Sequence, residues 1–342
     1  MKNTTTSNIL MVAYFFSIED GVGSQRSRSL YSFLKKQGFS VFCINKNTWK
    51  RQNQVLWGIR VACYIIKNGS HYDKIYISCG PFKSLLFISL GARIADKAFV
   101  VDFRDPWSLN IATNYGVNNV TLSLKQRIRL CISRTVEKFT YKTCQHFIVC
   151  TEGMERDYGR LFQDSKKLRL ITNGYDFYPE VFSNISSQTH EIRFVCIGKF
   201  AEYNKQKAAQ ILSAIKQYGI LKKHRIRLIF IGSDRDQNEP LVSKAELYAD
   251  WYPLLPYQQA LSIAANAHFG LCLIRNENYD YGTKVFDYIG LGLPIFDYFE
   301  EDNNFRSYFR AYLSTEIGRI PIEDRLHLSR EQVFRRNMDV FE

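Results

Sequence analysis

Residues 9–44 read ILMVAYFFSIEDGVGSQRSRSLYSFLKKQGFSVFCI, and this stretch holds the pattern that sets the fold. An apolar run, Ile9–Phe16, is followed by a glycine-containing turn, a segment of helical period at Ser24–Lys36 and a second apolar run, Phe39–Ile44. Short apolar runs favour buried strands, whereas a 3.6-residue period favours a helix. The stretch therefore predicts a β–α–β unit, whose two strands run parallel.

The same alternation continues through the first half of the chain. Further apolar runs predict strands at Lys74–Ser78, Ala98–Phe103, His146–Cys150 and Leu168–Ile171. Segments of helical period predict helices at Leu56–Lys67, Phe82–Ala95, Leu122–Tyr141 and Glu152–Phe162. Strands that alternate with helices form a parallel sheet covered on both faces, so the predicted fold class is α/β with a doubly wound sheet.

The alternation stops over residues 175–188, which resemble a linker in composition, and then restarts. Strands are predicted at Ile192–Ile197, Ile226–Ile231, His268–Leu273 and Pro294–Asp297. Helices are predicted at Lys205–Gln217, Pro240–Tyr248, Tyr257–Ala265, Thr283–Gly290, Phe305–Leu313 and Ser329–Glu342. We therefore expect two Rossmann-like domains, 1–176 and 189–325, a ligand cleft between them and a C-terminal segment, 326–342.

The composition is that of a globular chain, since 46% of the 342 residues are hydrophobic and 23% are charged. The 46 Lys and Arg residues against 33 Asp and Glu give a net charge of +13, which favours anionic partners. No nucleic-acid-binding module is recognisable, so we expect no nucleic-acid partner. The eight cysteines contain no C-x-x-C pair and mostly lie in apolar runs, which favours buried thiols over a zinc site.

The sequence also predicts that the protein is cytoplasmic. No apolar stretch approaches the ~20 residues that a membrane span needs. The first apolar run passes into a glycine-containing turn without a small-residue cleavage site, so we expect no signal peptide.

Two motifs of the first half follow predicted strands. Gly21-Val-Gly23-Ser-Gln-Arg opens the first helix, where glycines allow close approach of a ligand and free amides attract anions. The spacing is not that of a dinucleotide-binding loop, so the motif is either a ligand-binding turn or only a tight turn. Asp102, Arg104 and Asp105 lie at the carboxyl end of a buried strand, where active sites of open α/β sheets lie. The alternative there is a local ion pair between Asp105 and Arg104.

Two segments of the second half suit a phosphorylated ligand. Lys199 and Lys205 bracket the loop after its first strand, and their ammonium groups are candidates for a diphosphate site; the alternative is two solvated lysines. Thr283, after Gly282, is predicted to cap a helix, and Asp287 lies one turn further on the same face. Bare amides with a carboxylate one turn along suit a nucleotide diphosphate and its ribose diol.

The segment Leu124–Lys142 has apolar residues at helical spacing and six Lys or Arg residues among the others. The ordinary interpretation is an amphipathic helix that buries its apolar side and leaves a solvated basic face. The functional interpretation is that the basic face rests on an anionic membrane surface, which suits a lipid-linked acceptor.

Together these motifs resemble a GT-B fold glycosyltransferase of the family 4 kind, bacterial type, over nearly the whole chain. The stretches that carry the resemblance are the first glycine-rich loop at 21–26, the strand end at 101–107, the Asn-Gly-Tyr-Asp turn at 173–176, the basic pair Lys199 and Lys205, the donor motif at 282–294 and the closing helix at 329–342. The resemblance implies two Rossmann-like domains facing a cleft, with the closing helix crossing back to the first domain.

The resemblance further implies a hexosyltransferase-type enzyme of surface polysaccharide or glycan biosynthesis. It would move a sugar from a nucleotide-sugar to a saccharide or lipid-linked acceptor, with retention and without a cofactor or a bound metal. The donor-binding residues would be Lys199, Lys205, Gly282, Thr283, Lys284, Asp287 and Glu277. Gly21 and Gly23 would form a loop on the acceptor side, and Asp105 and Arg104 would be catalytic.

The chain departs from the family pattern at three positions. The donor motif often carries two glutamates eight residues apart, where this chain has Tyr279 and Asp287; Glu277 would substitute for the first. Many members carry a histidine where this chain has Arg104. Two alternatives stay open: a nucleotide-sugar 2-epimerase, which would share the nucleotide site of the second half, and a non-catalytic subunit that binds a nucleotide-sugar, for which Tyr279 is the best argument.

Overall fold

The computed structural model describes residues 7–49, 53–114, 121–176 and 191–342. The chain divides into two compact units: unit 1 contains residues 1–173 and 330–342, and unit 2 contains residues 174–329. These boundaries differ by a few residues from those at 176 and 326 expected from the sequence. Most of the expected linker, residues 177–188, lies outside the described residues, but Tyr175 is buried within unit 2.

Each unit is built on a parallel sheet of six strands, so the predicted α/β class is confirmed. The strands of unit 1 are β1 (Asn8–Ala13), β2 (Ser40–Ile44), β3 (Lys74–Ser78), β4 (Phe99–Phe103), β5 (His146–Val149) and β6 (Leu168–Leu170), in the order β2-β1-β3-β4-β5-β6. The strands of unit 2 are β7 (Glu191–Ile197), β8 (Arg225–Ile231), β9 (Tyr248–Tyr252), β10 (Phe269–Gly270), β11 (Ile295–Phe296) and β12 (Leu313–Ser314), in the order β12-β11-β10-β7-β8-β9.

The helices lie between the strands in the expected alternation. They are α1 (Val22–Lys36), α2 (Gln54–Asn68), α3 (Leu85–Ile94), α4 (Trp107–Ala112), α5 (Leu124–Thr143), α6 (Glu152–Phe162), α7 (Lys205–Lys222), α8 (Arg235–Lys244), α9 (Tyr257–Ala264), α10 (Thr283–Gly290), α11 (Asn304–Phe309), α12 (Ile322–Arg325) and α13 (Arg330–Arg336). The final helix is shorter than the predicted Ser329–Glu342, because it gives way to a 3₁₀ turn at Met338–Val340.

The sequence pattern missed four of these elements, namely β9, β12, α4 and α12. The helix predicted at Pro240–Tyr248 instead ends at Lys244, and Tyr248 begins β9. This strand is paired on one side only, and none of its residues is fully buried, which leaves little apolar signal. Strand β12, with two residues, and helix α4, with six, are too short to show a period.

In unit 1, helices cover both faces of the sheet. Helix α13 packs on α1, and the rings of Phe33 and Phe334 lie 5.7 Å apart. Helices α2, α3 and α5 pack side by side in that order. The approach of α2 to α3 is close, since a Cβ on Gly91 would lie 2.7 Å from the Cα of Ala62.

In unit 2, the core joins α10 to the central strands. The Tyr288 hydroxyl accepts a 2.8 Å hydrogen bond from the Ile197 amide at the end of β7. A Cβ on Gly270 would lie 2.3 Å from a ring carbon of Tyr288, so only glycine allows this packing. The Tyr175 ring packs in the same way against Gly290, which ties the start of unit 2 to the end of α10.

None of the helices in the described ranges combines the length and the apolar character needed to cross a bilayer. All eight cysteines lie in these ranges, and none forms a disulfide. Five are buried, as expected, and Cys43 is half-buried. Buried thiols were a wrong prediction for Cys63 on α2 and Cys131 on α5, which are exposed.

Candidate functional site

In each sheet the chain reverses its direction of winding next to the first strand. In unit 2 it passes from β7 to β8 and β9 on one side and returns to β10 on the other. In unit 1 the corresponding neighbours are β1 and β3. A crevice forms at the carboxyl ends of strands at such a reversal, and ligands of α/β sheets bind there. The predicted site residues can therefore be judged by their distance from these two points.

The loop between β7 and α7 lies at the reversal of unit 2 and is held rigid by Glu202. The Glu202 carboxylate accepts 2.9 Å hydrogen bonds from the amides of Phe200 and Asp234. Burial acts to raise the pKa of Glu202, but these amides and Asn238 outweigh it and hold the pKa below its usual value. Lys199 and Lys205, on this loop and at the start of α7, are exposed, and neither ammonium group has a partner within the described part of the chain.

Helix α10 begins beside this loop. Gly282, with a φ of +65°, takes the N-cap position that was predicted for Thr283, and its amide donates to Asp280 Oδ1 at 3.0 Å. Thr283 is instead the first helical residue. Lys284 Nζ donates a 2.8 Å hydrogen bond to the Lys199 carbonyl oxygen, so the structure brings two predicted donor segments together.

An aromatic ring that the sequence analysis did not single out lies at this junction. The exposed ring of Tyr203 has Lys284 Nζ 5.8 Å from its centroid and the Arg275 guanidinium carbon 5.9 Å from it. Cations at this distance from a ring are attracted to its π face. Tyr203 lies within the loop already predicted as a diphosphate site. The presence of an aromatic residue in that loop is the sequence feature that could have identified it.

Glu277 is placed differently from its expected role. Its carboxylate forms an ion pair with Lys207, whose ammonium group also donates a 2.8 Å hydrogen bond to the Ile274 carbonyl oxygen. Lys207 was not predicted as a site residue, although it lies on the first turn of α7 with Lys205. The pair ties the loop after β10 to α7, and Tyr279 on the same loop is buried.

Asp287 lies one turn into α10, as predicted, and it is buried. Its Oδ1 atom accepts a 2.5 Å hydrogen bond from the Tyr257 hydroxyl at the start of α9. A ribose diol at this carboxylate would therefore share it with Tyr257. No sequence signal separated Tyr257 from the many other tyrosines of the chain.

In unit 1, Arg104 brings together three loops at the reversal between β1 and β3. Its Nη1 atom donates a 2.6 Å hydrogen bond to the Gly23 carbonyl oxygen, and its Nη2 atom lies 3.9 Å from where a Cβ on Gly80 would be. The Nε atom is buried and has no partner among the described residues. The local ion pair of Arg104 with Asp105 was the wrong alternative, because the Asp105 side chain is exposed and pairs with nothing in the described ranges. The structure therefore brings the two predicted motifs of this half together, with Gly21 in the same turn.

Asp102 of the same strand end has a structural role. Its carboxylate accepts a 2.7 Å hydrogen bond from Arg26 Nε and a short one from the Tyr76 hydroxyl, and all three side chains are buried. Burial alone would lower the pKa of Arg26, but the Asp102 carboxylate raises it. Arg26 also donates to the carbonyl oxygens of Ile171 and Thr172, so this buried pair anchors the end of β6.

A buried carboxylate supports the segment that carries Asp105. Glu137 on α5 accepts hydrogen bonds from the Ser108 amide at 2.9 Å and the Tyr158 hydroxyl at 2.7 Å. Burial raises the pKa of Glu137 to about 7, although Ser108 and Tyr158 oppose the rise. The Trp107 ring stacks on Phe82 with centroids 5.0 Å apart, so an aromatic pair lies beside this segment.

Helix α5 does not bury the apolar side that its sequence suggested. Leu124, Ile128 and Ile132 are 75%, 53% and 54% exposed. The buried residues are instead Ser133, Val136, Glu137, Thr140 and Tyr141. The ordinary interpretation of this helix is therefore wrong for its first half, where the aliphatic stripe faces outward.

Over residues 7–49, 53–114, 121–176 and 191–342, no group of three or more His, Cys, Asp or Glu side chains is arranged to hold a metal ion. His268 is buried, and its Nδ1 atom accepts a 2.9 Å hydrogen bond from the Arg193 amide. Burial lowers the pKa of His268 to about 4, which suits its structural role as an acceptor.

No protein-family model and no curated protein sequence matches the chain. Solved structures do match. The apo form of the lipopolysaccharide outer core galactosyltransferase WaaB has a TM-score of 0.61 at 8% identity, with 98% of this chain and 99% of that one covered. Anabaena HepE in complex with UDP-glucose has a TM-score of 0.53 at 11% identity, with 97% and 91% covered. A UDP-N-acetylglucosamine 2-epimerase from Listeria monocytogenes has a TM-score of 0.53 at 10% identity, with 98% and 88% covered. These likenesses show that the chain has the GT-B fold, as its sequence predicted.

Proposed function

We propose that this chain is a glycosyltransferase that moves a sugar from a nucleotide-sugar to a saccharide or lipid-linked acceptor. The pathway would be surface polysaccharide or glycan biosynthesis, and the enzyme would be of the family 4 kind, retaining and independent of metal and cofactor. The GT-B fold is compatible with this activity, but fold alone does not define function. The proposal therefore rests on the site in unit 2.

The observation that carries the proposal is the meeting of three segments at the reversal of the unit 2 sheet. The loop with Lys199, the first turn of α7 with Lys205 and the start of α10 at Thr283 all lie at this edge, and Lys284 links the first to the third. Lysine ammonium groups and free amides at a helix start both attract phosphoryl oxygens. This combination suits the diphosphate of a nucleotide-sugar.

In the proposed reaction, the bond between the sugar C1 and the diphosphate oxygen breaks, and a bond forms between C1 and the acceptor oxygen. Negative charge grows on the departing diphosphate, so positioned cations stabilise the transition state more than the ground state. Lys199 and Lys205, with the amides around Gly282 and Thr283, would supply that stabilisation. Asp287, with Tyr257, would hold the ribose. The departing diphosphate would take the acceptor's proton, so no protein base is needed.

The acceptor would lie at the reversal of unit 1. Arg104, which is hydrogen-bonded to Gly23, would form one side of that site with the Gly21 turn, and exposed Asp105 would contact the acceptor or the transferred sugar. A lipid-linked acceptor would place the enzyme at the inner face of the membrane. The basic helix over Leu124–Lys142 would then contact the anionic surface.

The test is a binding screen with UDP, GDP, ADP, CMP and their sugars, by thermal shift and calorimetry. We expect one nucleotide to bind, and the Lys199→Ala/Lys205→Ala variant to lose at least about 100-fold in affinity, since each charge-assisted contact contributes about 1.5–3 kcal/mol. Lys216→Ala/Lys244→Ala is the matched control, because it removes two charges from the same unit elsewhere. Equal binding by the first variant would show that the diphosphate assignment is wrong.

The likeness to a 2-epimerase makes epimerisation the second candidate function. The two activities differ in their products, so incubation of the bound nucleotide-sugar with and without a saccharide acceptor distinguishes them. Transfer gives free nucleoside diphosphate in step with glycosylated acceptor. An epimeric sugar formed without acceptor supports the second candidate, and binding without any product supports a non-catalytic subunit.

A further inference from the structure

The three adjacent helices α2, α3 and α5 of unit 1 each carry an exposed aliphatic stripe. On α2 the stripe includes Leu56, Ile59 and Ile66, which follow one another at helical spacing. On α3 it includes Leu90 and Ile94, the latter 59% exposed. On α5 the stripe includes Leu124, Ile128 and Ile132. Because these helices pack side by side, the stripes lie on one outward layer, which we call the α2–α3–α5 face.

The charge on this face has one sign. The sequences of the three helices contain nine Lys and Arg residues and a single acidic residue, Glu137. Glu137 is fully buried and faces α4, so it contributes no negative charge to the surface. Asp96, two residues beyond α3, is exposed and pairs with Arg93. The α2–α3–α5 face therefore combines exposed aliphatic side chains with a strongly positive field.

We propose that the α2–α3–α5 face is a membrane-docking surface that inserts its aliphatic stripes into an anionic lipid bilayer. In the proposed function, only the basic helix α5 contacts the membrane surface. The present proposal adds α2 and α3, and the aliphatic side chains of all three helices enter the bilayer. It does not depend on the chemistry of the unit 2 site.

Charge and side-chain type together favour a bilayer over the other occupants. A second copy of this chain, joined by two-fold symmetry, would place nine cations against nine cations, which opposes association. A nucleic acid would satisfy the charge, but it offers no apolar interior to the aliphatic stripes. An anionic bilayer accepts both, since lipid headgroups attract Lys and Arg while aliphatic side chains enter the acyl boundary.

The orientation of the helices suits a lipid-linked acceptor. In a parallel sheet, the helices that follow the strands begin at the carboxyl edge. Leu56, Leu86 and Leu124 lie within the first three residues of their helices, so the exposed stripes start at the edge that also carries Arg104 and Asp105.

The experiment is flotation of the full chain with vesicles of phosphatidylcholine, alone or with 40 mol% phosphatidylglycerol (about the anionic fraction that gives a strong surface field). We expect binding to the anionic vesicles only, weakened by salt. Ile94→Ser/Ile128→Ser/Ile132→Ser should lower the partition coefficient more than about tenfold, since each loses its transfer from water into the acyl region. Ile220→Ser/Leu221→Ser/Leu254→Ser, which changes side chains 65%, 78% and 87% exposed in unit 2, is the matched control and should bind as the wild type does.

A charge variant tests the electrostatic half of the proposal. Arg127→Gln/Arg129→Gln/Arg134→Gln should lower binding to anionic vesicles about 100-fold, because each basic residue near the surface contributes roughly tenfold or less. Lys35→Gln/Lys36→Gln/Lys166→Gln removes the same charge from other surfaces of unit 1 and should have little effect. Equal losses in both variants would show a diffuse effect of net charge and would overturn the assignment of the face.

The exposed cysteines allow a direct measurement on protein with an intact aliphatic layer. A polarity-sensitive thiol dye on Cys131, in a Cys63→Ser background, should shift to the blue with anionic vesicles. The same dye on L254C, with Cys63 and Cys131 replaced by serine, should stay in water. No blue shift at Cys131, a shift at L254C alone, or lipid-free dimers abolished by the aliphatic variant would each refute the bilayer assignment.

Discussion

Arg104 Nη1 donates a 2.6 Å hydrogen bond to the carbonyl oxygen of Gly23, although 81 residues separate the two in the chain. The bond joins the loop after β4 to the turn before α1. Asp105, the next residue along the chain, takes no part in this bond, and its side chain is exposed. The two motifs of unit 1 therefore act as one structural element.

Arg104→Lys should impair acceptor use and spare donor binding. A lysine ammonium cannot reproduce the planar donor geometry of the guanidinium, so the Gly23 turn loses its anchor. We expect kcat/KM for the acceptor to fall at least about tenfold, the loss of roughly one charge-assisted hydrogen bond. Nucleotide affinity, measured by calorimetry, should change less than about twofold because the proposed nucleotide site lies in unit 2. A loss of nucleotide affinity as large as the loss of kcat/KM for the acceptor would contradict the placement of acceptor and donor in different units.

Lys207→Met and Glu277→Gln should each weaken nucleotide-sugar binding by a few-fold. Either change breaks the ion pair that ties the loop after β10 to α7. Because both variants lose the same interaction, the double variant should bind the nucleotide-sugar only slightly more weakly than either single variant. The coupling free energy between the two side chains should be at most about 1 kcal/mol, since the pair is partly exposed. Calorimetric titration of the four proteins gives the cycle. Fully additive losses would show that the two side chains act independently and would contradict the role of the ion pair.

Glu137→Gln should change how the stability of unit 1 depends on pH. The pKa of Glu137 is raised by burial from 4.5 to about 7, so its protonated form favours the folded state. That contribution is complete below pH 4.5 and is lost as the pH rises through 7, a difference of about 3 kcal/mol. The variant should therefore gain stability relative to wild type as the pH rises over this range. The free energy of unfolding is measured by urea in a Trp251→Phe background, in which the remaining tryptophans report on unit 1. If the free energies of the variant and the wild type change in parallel with pH, the raised pKa of Glu137 is refuted.

Gly270→Ala should strongly destabilise unit 2. The added Cβ would lie 2.3 Å from the ring of Tyr288, which is fixed by its hydrogen bond to Ile197. Overpacking of this kind costs typically about 1–3 kcal/mol, and the rigid backbone here favours the upper end. Gly318→Ala is the control, because nothing lies within 4 Å of its new methyl group. Thermal unfolding should separate the two variants by several degrees, and equal midpoints would show that Tyr288 can move aside.

The sequence predicted the elements that have a strong period and missed the contacts made by single side chains. All six strands of unit 1 were expected, because each is a compact apolar run. The edge strand β9 was missed, since its alternation is weak. The candidate site segments follow strands as predicted, but the pairing of Glu277 with Lys207 and of Asp287 with Tyr257 depends on how α7, α9 and α10 pack. Periodicity carries no information on such long-range pairs.

The outward stripe of α5 shows a different limit. The spacing of Leu124, Ile128 and Ile132 is the same for a buried and for an exposed face, so the pattern fixes the helix but not its rotation. The rotation is set by Glu137 and Ser133, which are polar and yet buried. A buried carboxylate with two donors is a tertiary arrangement that no local pattern reveals.

Residues 330–342 pack in unit 1 although all of unit 2 precedes them in the chain. During translation, β1–β6 and their helices emerge before unit 2, so the surface of α1 that meets Phe334 stays bare until unit 2 has been synthesised. The nascent first unit must therefore tolerate an uncovered apolar patch, at elongation rates of about 5–20 residues per second, for roughly the time needed to make unit 2. Ribosome-associated chaperones would be expected to act during that interval.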